Sequence, residues 1–191
     1  MRVLATLLMT LRGTPFFFMG DEIGRKRVPI PSDRVRDPFE RLVPAHGLCR
    51  DPERAPMRWD GSAGGVFTDG DPWLPLEPGG TPNVAEQRGS ERSVLALFRA
   101  LITLRHEHAC LRQGGYAPLR SQNDVLAYRR TDGRSEILIV LNIAAEPRKW
   151  HWLGRGRLLM STDLDRPSET LPEASILLRS NEGVIIELDS R

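Results

Sequence analysis

The chain has 191 residues, of which 40% are hydrophobic and 27% are charged, and this composition excludes the disordered and collagen-like classes. Its 27 basic and 25 acidic residues leave a net charge of +2, which gives no general electrostatic reason to bind nucleic acid. Cys49 and Cys110 show neither metal-ligand spacing nor a disulfide framework. We therefore expect no metal, no cofactor and a reducing, cytoplasmic setting.

The first predicted element is a helix over residues 2–12, where apolar side chains recur at helical spacing. Arg12 and Pro15 interrupt the apolar run, which is far shorter than the roughly 20 residues of a membrane span. We therefore expect a buried helix rather than a signal peptide, and no membrane partner. After Gly13, residues 16–19 (Phe-Phe-Phe-Met) predict a strand buried on both faces, and the two elements together resemble half of a β/α unit.

From Gly20 to about Gly89 the periodic patterns disappear, and this stretch holds ten of the fifteen prolines. Aromatic side chains are spread through it, so we interpret it as an ordered, packed excursion rather than a linker. The strongest predicted helix follows, from Ser90 as its N-cap to about His108.

Short strand patterns dominate the chain after Arg112, and turn sequences such as Asp132-Gly133 separate them. A series of this kind predicts a small antiparallel sandwich. The predicted strands are 116–119, 125–130, 137–142, 148–152, 157–161, 175–178 and 184–188.

Several segments, in order along the chain, resemble one family of enzymes. Residues 11–16 followed by Gly-Asp-Glu-Ile-Gly at 20–24 resemble the end of the catalytic barrel in glycoside hydrolase family 13. Residues 50–60, Arg-Asp-Pro-Glu-Arg-Ala-Pro-Met-Arg-Trp-Asp, resemble a segment of its α-glucosidases, oligo-1,6-glucosidases and trehalose synthases. Ala55 and Arg58 replace the usual threonine and glutamine there, so substrate preference is expected to differ.

The resemblance implies a fold that is α/β plus all-β. Residues 1–111 are expected to be the last β/α unit and long loop of a (β/α)₈ TIM barrel, and residues 112–191 a C-terminal antiparallel β-sandwich. The family's catalytic aspartate, glutamate and second aspartate lie on barrel strands before the part matched here. We therefore expect a C-terminal fragment that is inactive alone and contains no catalytic residue.

The implied parent activity is retaining hydrolysis of small α-linked gluco-oligosaccharides. One alternative is a fragment of a trehalose synthase-type transferase or isomerase, and another is a non-catalytic carbohydrate-binding or accessory module. The expected partners are a small oligosaccharide in the full-length context and a separate chain bearing the missing barrel strands.

The resemblance makes Arg50 and Asp51 the predicted substrate-binding residues, because their loop arches towards the sugar in the family. A structural ion pair inside the loop is the other interpretation of Arg50. Asp21 and Glu22 are neighbours on one chain whose side chains tend to point apart, so they are not expected to act as a catalytic pair, and Glu22 is expected to order the turn through hydrogen bonds. Trp150 and Trp152 share a strand face, which predicts either core packing or a sugar platform.

Overall fold

The computed structural model describes residues 1–44, 46–120, 123–152, 154–171 and 174–189. These residues form two compact units: Met1–Phe16 with Leu97–Arg191, and Phe17–Ala96. This division into units does not test the predicted domain boundary near residue 112, which stays a prediction. No helix in the described part of the chain combines the length and apolar character needed to cross a bilayer.

Helix α1 runs over Arg2–Thr10 and confirms the first predicted helix, although it ends sooner. Leu11 is already extended, and Gly13 has a φ of +117°, a conformation that glycine adopts without the strain of a side chain. The chain therefore leaves the helix at Leu11, two residues before the predicted glycine.

Helix α5 runs over Val94–Glu107, so the predicted start at Ser90 was wrong. Ser93 is the N-cap: its Oγ accepts from the Ala96 amide at 3.0 Å and donates to the Gln87 carbonyl at 2.8 Å. Ser93 directly precedes the first helical residue, so its side chain reaches the Ala96 amide, whereas Ser90 lies three residues further along the chain from the helix. Helix α6, Ala109–Gln113, follows.

The strands after α6 form two antiparallel sheets. The six-stranded sheet has the order β1-β2-β3-β8-β5-β6, and β4 pairs with β7 in the other. All seven predicted strands are confirmed with small shifts in their ends, and β6 was missed because it has two residues. The strands are β1 Gly115–Pro118, β2 Val125–Thr131, β3 Glu136–Asn142, β4 Arg148–Trp152, β5 Gly156–Ser161, β6 Thr170–Leu171, β7 Ala174–Leu178 and β8 Gly183–Leu188.

Apolar side chains from both sheets contribute to one hydrophobic cluster. Trp150 and Trp152 are buried in it, with ring centroids 6.0 Å apart and planes 16° from parallel. Their burial confirms core packing and rules out a sugar platform at this face, because a ligand cannot reach the rings.

Buried polar contacts hold α1 against strand β2 of the six-stranded sheet. The hydroxyls of Thr10 and Tyr128 are 2.6 Å apart. Arg130 is fully buried and donates to the carbonyls of Thr10, Gly114 and Gly115 at 2.6–3.0 Å. No carboxylate among the described residues pairs with Arg130, so three backbone carbonyls stabilise its charge, one of them at the negative end of α1.

Residues 16–19 form no strand, and this prediction was wrong for the part of the chain described. All four side chains are exposed, Phe16 by 82%. An apolar segment forms a strand only when a neighbouring strand pairs with it through backbone hydrogen bonds. None of the described segments pairs with residues 16–19 in this way. The composition of the segment was strand-like, but the partners that decide pairing are not encoded locally.

The second unit is built from short helices and loops. Single turns of 3₁₀ helix occupy Asp21–Ile23 and Ser32–Arg34. The α-helices are α2 Pro38–Leu42, α3 Asp51–Arg54 and α4 Val84–Arg88. Ile23, Met57 and Val84 form one buried hydrophobic cluster of this unit, with Leu95 packed against it. The stretch is thus ordered and packed as predicted.

Candidate functional site

The site begins at a turn whose two carboxylates are committed to its own backbone. Gly20 and Gly24 have φ values of +102° and +68°. The Phe18 amide donates to Asp21 Oδ2 at 2.9 Å, and the Gly20 amide donates to Glu22 Oε2 at 2.6 Å. Both acids order the turn, as expected of Glu22, so each has one carboxylate oxygen engaged by the turn's own backbone.

Arg25 ties this turn to helix α3. Its Nη1 donates to the Ala55 carbonyl at 2.5 Å, and its Nη2 donates to the Pro52 and Glu53 carbonyls at 3.2 and 3.0 Å. These carbonyls lie at the end of α3, where a cation is favoured. Sequence analysis missed Arg25, whose position directly after the glycine turn was its one indication.

Asp51 is an internal anchor of the loop. The residue is 1% exposed, and its Oδ2 accepts from the amides of Arg36 and Asp37 at 2.6 and 2.8 Å. Its Oδ1 is also buried and has no hydrogen-bond partner among the described residues. The carboxylate thus fixes the backbone that leads into α2.

Arg50 is held by Asp37 in a two-pronged ion pair. Nε and Nη2 of Arg50 lie 2.9 and 2.6 Å from Oδ2 and Oδ1 of Asp37. Asp37 also caps α2, since its Oδ1 accepts from the Phe39 amide at 3.1 Å. The bonds from Arg50 hold the pKa of the Asp37 carboxyl well below its usual value and raise the pKa of the guanidinium. Sequence analysis missed Asp37, although an aspartate before Pro38 is a recognised helix start.

The neighbours Arg50 and Asp51 therefore occupy different environments. The Arg50 side chain is 59% exposed and lines a cavity of about 360 Å³, whereas Asp51 does not contribute to that lining. Arg27, Arg54, Glu53, Phe18 and Leu48 line the same cavity. Arg50 is thus positioned for both interpretations, a structural ion pair and a ligand contact, while Asp51 contacts only the loop.

The two departures from the family segment are both buried. Ala55 is fully buried, and Arg58 donates to the carbonyls of Glu77 and Ser62 at 2.8 and 2.5 Å. In the described structure Arg58 therefore braces the loop from inside, and neither residue presents its side chain to a ligand.

A larger cavity of about 630 Å³ lies in the same unit, but it carries little charge. Its lining is mostly glycine, small apolar and hydroxyl side chains, with Asp69 as the single charged residue. We therefore place the candidate site at the arginine-lined cavity.

One acidic cluster in the other unit has the spacing of a metal site. Oxygens of Asp163, Asp165 and Glu182 lie within 4.8 Å of one another. Arg179 lies 2.6 Å from both Asp165 and Glu182, and Arg166 lies 2.7 Å from Glu182. Burial raises the pKa of Glu182, but the hydrogen bonds from both arginines outweigh it and leave that pKa lowered. The guanidinium groups thus supply the positive charge that a metal would bring.

Comparison with known proteins shows the family of the chain. The α-amylase catalytic domain model matches residues 1–114. The chain therefore belongs to the α-amylase family. An oligo-1,6-glucosidase of Halalkalibacterium halodurans is 34% identical to it over 94% of this chain and 33% of its own length, and a glucan 1,6-α-glucosidase of Streptococcus pneumoniae is 31% identical over 76% of this chain and 30% of its own. These relatives place it in the α-glucosidase branch of glycoside hydrolases.

A solved structure covers nearly the whole chain. The trehalulose synthase MutB of Pseudomonas mesoacidophila aligns with 98% of this chain at 32% identity and a TM-score of 0.85, and the alignment covers 38% of that enzyme. A mutant of MutB has been solved in complex with its substrate sucrose. The chain thus spans about a third of the length of the relatives it matches.

Proposed function

We propose that the chain is the C-terminal part of a retaining α-glucosidase that acts on small α-linked gluco-oligosaccharides in the cytoplasm. In this proposal residues 1–111 complete a (β/α)₈ barrel and residues 112–191 form a β-sandwich. The hydrophobic cluster that two antiparallel sheets share supports the second part. The single observation that carries the proposal is the exposed Arg50 guanidinium, which lines a cavity within a segment of α-glucosidase type.

The chemistry explains why the chain is inactive alone under this proposal. Retaining hydrolysis needs one carboxylate to attack the anomeric carbon and a second carboxyl about 5–5.5 Å away to protonate the leaving oxygen. Asp21 and Glu22 accept hydrogen bonds from their own turn, and Asp51 is buried in the loop. Arg50 would instead donate hydrogen bonds to sugar hydroxyls, with Asp37 holding its fork in place.

The proposed partner is a chain, or chain segment, that carries the remaining barrel strands. The exposed apolar residues 16–19 support this, because they have the composition of a doubly buried strand. Pairing with barrel strands would satisfy their backbone and bury three phenylalanine rings.

The similarity to a trehalulose synthase favours one alternative, glucosyl transfer or isomerisation instead of hydrolysis. The distinction lies in the fate of the glucosyl group, which water or a sugar accepts. A non-catalytic carbohydrate-binding module is the remaining alternative, and it predicts sugar binding without turnover in any context.

The experiment is an assay on maltose, isomaltose and sucrose, with the chain alone and co-expressed with the barrel segment of a relative. We expect no glucose release alone and release on co-expression. An isomeric disaccharide from sucrose would support the transfer alternative. Turnover by the chain alone that disappears in an Asp21→Asn, Glu22→Gln variant would overturn the proposal.

Arg50→Ala tests the assigned role of Arg50 in the co-expressed enzyme. Loss of a hydrogen bond from a charged group should lower kcat/KM on disaccharides by about ten- to hundredfold. An aryl α-glucoside should be affected less, because its leaving group departs with little stabilisation from the enzyme. Equal losses on both substrates would make Arg50 a structural residue only.

A further inference from the structure

The cavity at Arg50 has more guanidinium groups than its carboxylates neutralise. Arg27, Arg50 and Arg54 line it, against the single carboxylate of Glu53. Asp37 lies behind Arg50 and occupies only part of its fork. Counting both acids, the three arginines outnumber the carboxylates that contact them by one, while Asp51 and Glu40 lie outside the lining and act electrostatically on Cys49. A cavity of about 360 Å³ is within the range of small-molecule sites, about 300–1,000 Å³.

Each of the three arginines keeps donors available for a ligand. The Arg54 side chain is exposed and forms no hydrogen bond or ion pair with any residue that the structure describes. Arg27 uses Nη2 on the Cys49 and Gly47 carbonyls, and its Nε is a distant 3.7 Å from Glu53. Arg50 uses Nε and Nη2 on Asp37, which leaves Nη1. The carbonyl and carboxylate contacts orient Arg27 and Arg50 without saturating them.

The remaining lining carries no charged side chain. Burial raises the pKa of the Cys49 thiol, so it stays neutral at pH 7 and adds no negative charge. Phe18 and Leu48 are exposed apolar side chains on the same lining. An aromatic ring beside a cationic group suits a ligand that has both a C–H face and an anionic end.

From this arrangement we infer that the cavity binds a phosphate group, carried by a sugar ester or free in solution. Guanidinium groups match the oxygen geometry of phosphate, and several donors converging on one dianion give charge-assisted hydrogen bonds. Phe18 would contact the ring of a phosphorylated sugar. The inference goes beyond the proposed glucosidase function, because anion binding at this cavity needs no barrel strands.

The test is calorimetric titration of the full chain with inorganic phosphate, glucose 6-phosphate and glucose. We expect glucose 6-phosphate to bind at least about tenfold more tightly than glucose, and its affinity to fall as salt rises. Inorganic phosphate binding as tightly as the ester would support the site and assign recognition to the anion alone. Tighter binding of the ester would assign the sugar ring a contact. Equal affinity for glucose and glucose 6-phosphate, or no binding of either phosphate, would overturn the inference.

Two variants and a matched control locate the site. Arg54→Gln and Arg27→Gln should each weaken phosphate binding by about tenfold, the effect of losing a hydrogen bond to a charged group. Arg54 has no partner among the described residues, so its removal should leave the fold intact. Arg88→Gln removes an exposed arginine of α4 outside the cavity lining and should change nothing. Unchanged affinity in both cavity variants would contradict the assignment. Because no turnover is measured, failure here leaves the glucosidase proposal standing.

Discussion

Arg50 and Asp37 form the tightest side-chain pair of the candidate site, and they have opposite exposure. The Asp37 carboxylate is fully buried, whereas 59% of the Arg50 side chain is exposed. Asp37 also accepts from the backbone amide of Arg50 at 2.9 Å, so one carboxylate holds both the main chain and the fork of the arginine. A surface guanidinium is thereby oriented from beneath, which reduces the entropy lost when it binds a ligand.

Asp37→Asn should loosen Arg50 without unfolding helix α2. An asparagine Oδ1 still accepts from the Phe39 amide and from Nη2 of Arg50, but the NH₂ group that replaces Oδ2 cannot accept from the amide and Nε of Arg50. We expect the Arg50 amide to exchange hydrogen about tenfold faster, and the Phe39 amide to exchange at an unchanged rate. Asp33→Asn, an exposed aspartate of the preceding 3₁₀ turn, is the control and should alter neither. Equal acceleration at both amides would show that Asp37 acts only as a cap.

Tyr128→Phe should destabilise the first unit through the lost bond to Thr10. The Thr10 hydroxyl donates its one proton to the Thr6 carbonyl at 2.6 Å, so Tyr128 is the donor between the two hydroxyls. We expect a loss of about 0.5–1.5 kcal/mol in the free energy of unfolding, measured by urea denaturation. Tyr116→Phe is the control, because Tyr116 is exposed and should change stability by less than about 0.5 kcal/mol. A smaller effect at position 128 than at 116 would contradict the assignment.

The same hydroxyl should titrate at unusually high pH. Burial raises the pKa of Tyr128 to about 12 from the ordinary value of 10.0. The pKa of Tyr128 is higher in the folded state than in the unfolded state. The stability that its protonated hydroxyl contributes is therefore complete below pH 10 and is lost as pH rises towards 12. The ultraviolet tyrosinate titration of the chain minus that of Tyr128→Phe should show a midpoint near 12. A midpoint near 10 would mean that water reaches this phenol.

Gly20→Ala should disturb the turn and the arginine that braces it. Gly20 has a φ of +102°, and a Cβ there would lie 2.6 Å from Nε of Arg25. Backbone strain together with displacement of Arg25 from its carbonyls should cost about 1–3 kcal/mol in a denaturant unfolding curve. Gly79→Ala is a matched control, since nothing lies within 4 Å of its added carbon, and we expect less than about 0.5 kcal/mol. Indistinguishable curves for the two variants would contradict a bracing role for Arg25.

Glu182→Gln should destabilise the first unit by removing the charge that pairs with Arg166 and Arg179. Removing its charge leaves Arg166 and Arg179 without their buried partner, at a cost of about 1–3 kcal/mol at pH 7. This estimate is below that for a fully buried pair because both arginines are partly exposed. Glu187→Gln breaks a surface pair with Arg157 and should cost less than about 1 kcal/mol.

The effect of Glu182→Gln should depend on pH in one direction. The folded-state pKa of Glu182 lies below the ordinary 4.5, so its stabilisation is complete well above pH 4.5 and is lost as pH falls through the folded value. The difference in unfolding free energy between the chain and the variant should therefore shrink in acid. A difference that grows as pH falls would mean that burial dominates and that the carboxyl is protonated in the fold.

Much of the fold and part of the site follow from local sequence. Strands such as β3 and helices such as α1 were predictable because a short continuous apolar run, or apolar side chains at helical spacing, is a property of neighbouring residues. The motif at residues 50–60 likewise indicated the loop that contains Arg50. The roles of Asp37 and Arg25 were not predictable, because each acts on backbone 13–30 residues away.

The sequence by itself determined the periodicity of the strands, the family, and the loop at residues 50–60 that contains Arg50. Only the tertiary structure decided that Asp51 is buried while Arg50 is exposed, and that Phe16–Met19 forms no strand in the described chain. The physical reason is the same in each case. Spacing along the chain sets which conformations are favourable, but burial and backbone pairing depend on segments that the fold brings together from distant positions.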